Sequence, residues 1–221
     1  MRDVPQMIHH STQTGKNTKI GIYSIVGYPE KEGKCVKIGQ NCEIGNHVTI
    51  YPGVKIMNDV SIGDYSCIDE DAVIGNNVCI ERYSYIGKKV VIGDSTLVLY
   101  RAEIYEGAKI GKHCRIGGFV AENTIIGDYV TMFGKLIHSF RDPTHWDGGE
   151  EPPIIDNYVV VGFDAVIIGK IKISHHVYIA AGAIVSKDIP PYSIVYGTNK
   201  IIPISEWKGD IKKSKFWRWQ E

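Results

Sequence analysis

A chain of 221 residues with 25 Lys and Arg against 25 Asp and Glu carries no net charge, so no global field gathers nucleic acid or an anionic membrane surface. The length suits one sizeable domain, and 43% hydrophobic with 23% charged residues speaks against disorder or a collagen-like chain. The opening MRDVPQMIHHSTQTGKNTKIG has no signal-peptide core and no run approaches the roughly 20 apolar residues of a membrane span, so a cytoplasmic protein without nucleic-acid or membrane partners is expected.

Cys35, Cys42, Cys67, Cys79 and Cys114 are odd in number and form no CxxC pair, which argues against a disulfide framework and a zinc cage. They read as free thiols, mostly filling a wall.

That wall is visible as a repeat of six. Ile38, Ile44, Ile50, Ile56, Ile62, Ile68, Ile74, Ile80, Ile86, Ile92, Val98, Ile104, Ile110 and Ile116 follow one another without a gap. Two residues before each stands a small or branched partner, such as Val48, Val54, Ala72, Val78 or Ala108. Apolar residues separated by one position point to the same side of a strand, so each unit is a short strand followed by a tight bend rich in Gly, Asn and Asp. Three units close a triangular coil, and every Ile stacks on the one eighteen residues away.

Taken in order, the first coil begins near residue 8. The phase passes through Ile20 and Val26 and is interrupted by the charged insert YPEKEGK before Ile38. After Ile116 it resumes at Ile126 and Met132, which predicts a bulged corner of about four extra residues around Phe119 to Asn123. Residues 133–156 carry no repeat and read as a loop leaving the wall, and long loops in compact domains usually serve function. The repeat returns at Val161, Ile167, Ile173, Ile179 and Val185. Trp207 and Ile211 at helical spacing predict a short C-terminal helix over 204–221, leaving 1–203 as the β-helix domain.

Counting faces puts Met132 above Ile92 and Ile110, so the loop is expected to leave above Asp94 and His113. Asp94 is a candidate for orienting an acceptor and equally a turn residue bonding its own backbone. Ser84 is a weaker candidate, because its phase makes it a wall residue. Val73 and Val91 point outward from a flat face and want cover, which three prisms packed about an axis provide.

The segment PPIIDNYVVVGFDAVIIGKIKISHHVYIAAGAIVSKDIPPYSIVYGTNKII resembles the C-terminal coils of the hexapeptide acyltransferase superfamily, with Ala180 where that family has Gly and Ser186 where it has Thr. The opening IHHSTQTGKNTKIGIYSIVG looks like the first coil of its sugar-nucleotide acyltransferases. The resemblance implies an all-β left-handed parallel β-helix, a homotrimer, and acetyl-CoA or another short acyl-CoA as co-substrate, with no metal. It implies His138 in LIHSF as the base, with His145 of the same loop in reserve; Trp146 and His113 are further candidates for substrate binding. It further implies Gly162, Ala180, Ala181 and Gly182 along the pantetheine arm, and Ser186 and Lys187, with Lys200 assisting, near coenzyme phosphate.

The reading that follows is N-acylation of an amino group on a nucleotide-linked sugar, a precursor of surface polysaccharide, with Tyr83, Tyr85 and Tyr100 available for stacking. A neutral amine needs little help from a base, whereas an O-acetyltransferase acting on a sugar or xenobiotic hydroxyl depends on His138. A γ-type carbonic anhydrase with three converging His, or a non-catalytic solenoid, are remoter alternatives.

Overall fold

The computed structural model describes residues 6–139 and 151–206. Two-residue strands end on the inward Ile or Val of each repeat and are joined by bends that turn the chain onto the next wall. Three sheets result. The first face has ten strands, from Met7–Ile8 to Ile184–Val185; the second has nine, from Gln13–Thr14 to Lys172–Ile173; the third has eleven, from Lys19–Ile20 to the closing pair Ser193–Tyr196 and Lys200–Pro203. Pairing is parallel throughout until that last pair, which is antiparallel. The all-β, three-walled prism read from the repeat is the fold.

The predicted column is present: Ile38, Ile56, Ile74, Ile92 and Ile110 pair in succession on the second face. All five are buried, as are their partners Val36, Val54, Ala72, Val90 and Ala108. Each enclosed Ile contributes on the order of 1.5–3 kcal/mol from removal of apolar surface from water. Cys42 and Cys114 take the same inner position as the Val and Ala residues and are buried, while Cys67 and Cys79 lie on the outer side of strands; all five cysteines are free.

Corners are held by side chains as well as by backbone. On the edge between the second and third faces, the amide of Gln40 donates to Asn58 Oδ1, that of Asn58 to Asn76 Oδ1, and that of Asn76 to Asp94 Oδ1. The following residue in each corner adopts positive φ, as at Asn41, Asp59 and Asn77, where short polar side chains tolerate the left-handed region.

The phase break after Ile116 has a different cause from the one expected. No residues are added. Phe119–Val120 is a strand of the first face paired to Glu103–Ile104, so only Gly117 and Gly118 form the corner that elsewhere takes four residues. Ten is therefore four plus six. Gly118 has φ +80°, and a Cβ there would stand 2.1 Å from the carbonyl oxygen of Gly134, which makes glycine obligatory at this contraction. Phe133 and Gly134 repeat the shortened corner one coil later, and Lys135–Ile137 continues the first face with Leu136 fully buried. The repeat thus runs five residues into the segment 133–156 read as loop and resumes within its far end at Ile154–Ile155.

The first contraction also moves Met132, and the second then brings Leu136 to the first face. Met132 pairs with Ile116 and Val161 on the third face, not with Ile110, which pairs instead with Ile126. The excursion accordingly leaves the edge between the first and second faces, and Asp94 and His113 lie on a different edge. His145 and Trp146 lie outside the described residues. Of the expected C-terminal helix, Ile204–Glu206 forms a single 3-10 turn, and Trp207 and Ile211 are likewise outside the described residues. Among the described residues no helix is long and apolar enough to cross a membrane.

Candidate active site

His138 follows the strand Lys135–Ile137 and stands at the edge between the first and second faces, with only 14% of its side chain exposed. Its Nε2 lies 3.2 Å from Oε2 of Glu122, which occupies the same edge one coil toward the N-terminus. Nδ1 is buried without a hydrogen-bond partner among the described residues. A carboxylate on one ring nitrogen fixes the tautomer and leaves the other nitrogen with a lone pair available to a proton donor. Glu122 is absent from the sequence-based candidates, because the spacing predicts a bulged corner where it stands. The detectable signal was its separation of sixteen residues from His138, the coil length left when a corner loses two residues.

The next strand of the first face, Val166–Ile168, pairs with Lys135–Ile137 on one side and with Ile184–Val185 on the other. Gly169 donates its amide to the Ile137 carbonyl, 2.8 Å, and so roofs the His138 corner. Ser186 and Lys187 follow one coil further on the same edge. The Ser186 amide donates to Asn199 Oδ1, and its hydroxyl accepts from Asn199 Nδ2, both at 2.9 Å; the Lys187 side chain is exposed.

Gly162, Ala180, Ala181 and Gly182 come together on the other border of the same face, where the chain enters it from the third. The Gly162 amide donates to Ile179 and that of Gly182 to Phe163, both at 2.8 Å. Gly182 has φ +68° with no atom within 4 Å of where a Cβ would stand, so its backbone is open to an approaching chain. Lys200 extends over the Tyr196 ring, 5.8 Å from its centre, in the hairpin whose Gly197 carbonyl accepts from Ile184. The two groups of candidates therefore flank the last strands of one face, with half-exposed Val166 and Ile184 between them.

Three other candidates fall elsewhere. Asp94 accepts from Asn76 and pairs with Lys112 at 3.3 Å, a rung of the second–third edge. The Asn76 amide, ahead of its side-chain NH2 and the Lys112 ammonium, holds the Asp94 carboxyl below the ordinary carboxylate range. His113, on the same edge, stacks on Tyr129 at 4.9 Å and begins a ladder that continues through Tyr158, His176 and Tyr192. Ser84 is 2% exposed and donates to the carbonyls of Glu81 and Leu99, so its hydroxyl closes a corner.

A second aromatic ladder, Tyr23, His47, Tyr65 and Tyr83, lines the third–first edge at 4.7–5.1 Å. Tyr100 meets Tyr83 edge-on and, with Arg82, Glu81 and Asp64, borders a cleft of about 500 Å³. His47, His113 and His138 stand on three different edges of the chain.

Residues 53–88 match the family model described as bacterial transferase hexapeptide (six repeats). The chain is similar to the serine acetyltransferase of Synechococcus elongatus, 33% identical over 104 residues, covering 45% of this chain and 41% of that protein. The serine acetyltransferase of Staphylococcus aureus is 35% identical over 99 residues, covering 43% of this chain and 45% of its own length. The chain thus spans less than half the length of these curated relatives. Among solved structures, LpxA of Acinetobacter baumannii superposes over 85% of this chain and 67% of its own with a TM-score of 0.55 and 20% identity, a likeness of fold. The chain is a left-handed parallel β-helix carrying the repeat of the hexapeptide transferases.

Proposed function

We propose that the protein transfers an acetyl or other short acyl group from coenzyme A to a small acceptor, with His138 as general base. The observation that carries this is the pairing of His138 Nε2 with Glu122 and the buried Nδ1 that has no hydrogen-bond partner among the described residues. Acceptor oxygen attacks the thioester carbonyl as Nδ1 takes its proton, and the carboxylate stabilises the resulting imidazolium. Collapse of the tetrahedral intermediate breaks the C–S bond, and the proton passes from His138 to the departing thiolate. The amides near Ala180 and Gly182 suit the two amide groups of a pantetheine arm, and Lys187 with Lys200 suit its phosphates as point charges.

A base of this kind is demanded by a hydroxyl acceptor, and O-acylation is the reading we favour. The similarity to serine acetyltransferases is compatible with it. N-acylation of a nucleotide-linked amino sugar is the second reading, supported by the opening coil and by the cleft beside Tyr100 and Arg82, an aromatic and a cation suited to a base and a phosphate. A homotrimer would cover the outward Val73, Val91, Ile125 and Ile154 of the second face and bring other edges against the His138 edge.

The test is coenzyme A release from acetyl-CoA across hydroxyl and amino acceptors, with sedimentation to establish the oligomer. His138→Ala should lose at least about a hundredfold in kcat with a hydroxyl acceptor. Activity confined to amino-sugar nucleotides and indifferent to this substitution would move the assignment to the second reading.

A further inference from the structure

The N-terminal end of the prism holds a cluster that acyl transfer does not use. His9 ends the first strand, Met7–Ile8, at the first–second edge, and the charged insert returns over it one coil later. Tyr28 packs edge-on against the His9 ring at 5.2 Å, and Oε2 of Glu30 lies 3.3 Å from His9 Nε2. The ring of His10 is 4.2 Å from that of His9, centre to centre. One ligand atom from each of His9, His10 and Glu30 falls within 4.8 Å of the other two.

We propose that His9, His10 and Glu30 bind a divalent transition metal, zinc above all, which pins the insert to the first coil. Bonds of about 2.1 Å to a tetrahedral ion place its ligand atoms roughly 3.4 Å apart, and the His9–Glu30 pair already stands at that separation. Two imidazoles and one carboxylate leave a fourth position for water, a donor set suited to zinc and its neighbours and poor for calcium or magnesium. His9 is 6% exposed and is held in place by Ser11, whose amide donates to Nδ1 at 3.3 Å and whose hydroxyl lies 2.8 Å from the same nitrogen. Binding an ion through Nε2 moves the ring proton to Nδ1, which then donates to the Ser11 hydroxyl.

The position gives the ion a task. Outer and inner residues of the first strands, Met7, Ile8, Gln13 and Thr14, are all exposed, so among the described residues burial does little to hold these two strands. The far end of the insert is already fastened two coils on, where Lys31 pairs with Glu70 and Lys34 with Asp71. A metal at His9 would fasten the near end and turn residues 28–34 into a strap along the edge.

Untagged full-length protein, stripped with EDTA and titrated with zinc chloride, should retain stoichiometric zinc through gel filtration and unfold at higher temperature. Cobalt should give the visible absorption of a tetrahedral site. His10→Ala and Glu30→Gln, both at exposed side chains, should each weaken zinc binding at least about tenfold, and His47→Ala should not. Sub-stoichiometric retention by the parent chain, or undiminished binding by both variants, would overturn the proposal; neither result bears on coenzyme A turnover.

Discussion

Glu122 and His138 meet across neighbouring coils, Oε2 to Nε2 at 3.2 Å, because the corner at Phe133 and Gly134 is two residues short. The contraction sets which residues arrive at that edge. Glu122→Gln keeps the oxygen that accepts from Nε2 but removes the charge that balances the imidazolium. It should lower kcat by roughly ten- to a hundredfold for a hydroxyl acceptor, less than His138→Ala, with KM for acetyl-CoA little changed. Steady-state kinetics of both variants check this; equal KM and kcat in Glu122→Gln and the parent would remove the carboxylate from the mechanism.

Gly118→Ala places a methyl group 2.1 Å from the Gly134 carbonyl oxygen and forces a non-glycine residue to positive φ. The backbone strain alone costs on the order of 1–3 kcal/mol, and the overlap adds to it. Urea denaturation should show a lower midpoint. Gly33→Ala, with positive φ but no atom within 4 Å, supplies the comparison without the clash.

Ile74→Ala empties a fully buried site in the second-face column and should destabilise by about 2–5 kcal/mol. Truncating its outward neighbour Val73 should cost far less in an isolated chain. If Val73→Ala together with Val91→Ala also lowers the oligomer size in sedimentation, the second face is the interface.

The Asp94 carboxyl titrates below its ordinary value near 3.8 in the folded chain, chiefly through the Asn76 amide. A depressed folded pKa contributes stability that is present above the unfolded pKa and is lost as pH falls through the folded one. Asp94→Asn retains an oxygen for Asn76 but loses the charge, so at neutral pH it should lower the unfolding temperature modestly. Below about pH 4 the gap between parent and variant should shrink as the parent carboxylate protonates.

Burial raises the thiols of Cys67 and Cys114 to about 11. Few thiolates are then present at pH 8, and a disulfide reagent should modify these two only on unfolding. Rapid reaction of Cys114 in the native protein, located by peptide mapping, would contradict its place in the wall.

The prism was readable because its signal is a buried period, and burial repeats at every coil from Ile38 to Ile116. What escaped was arithmetic at two corners. A gap of ten from Ile116 to Ile126 admits either one long corner or a short corner plus a full repeat, and Val120 alone does not announce a strand two residues long. The same ambiguity hid Leu136, four residues after Met132, and moved the loop to the wrong edge. Candidates named by local motif, such as Ala180 to Lys187, fall on the two borders of one face whatever the count. Those inferred by stacking, Asp94 and His113, depended on the count and were displaced by it. Glu122 is legible only once the register is known.

A ladder of near-identical rungs has a translational degeneracy: sliding one stretch along by eighteen residues returns Ile upon Ile at almost no energetic difference. The paired contractions at Gly117–Gly118 and Phe133–Gly134 break that sameness, since these two short corners stack on one another at one place in the ladder. They act as vernier marks, telling the folding chain which rung is which.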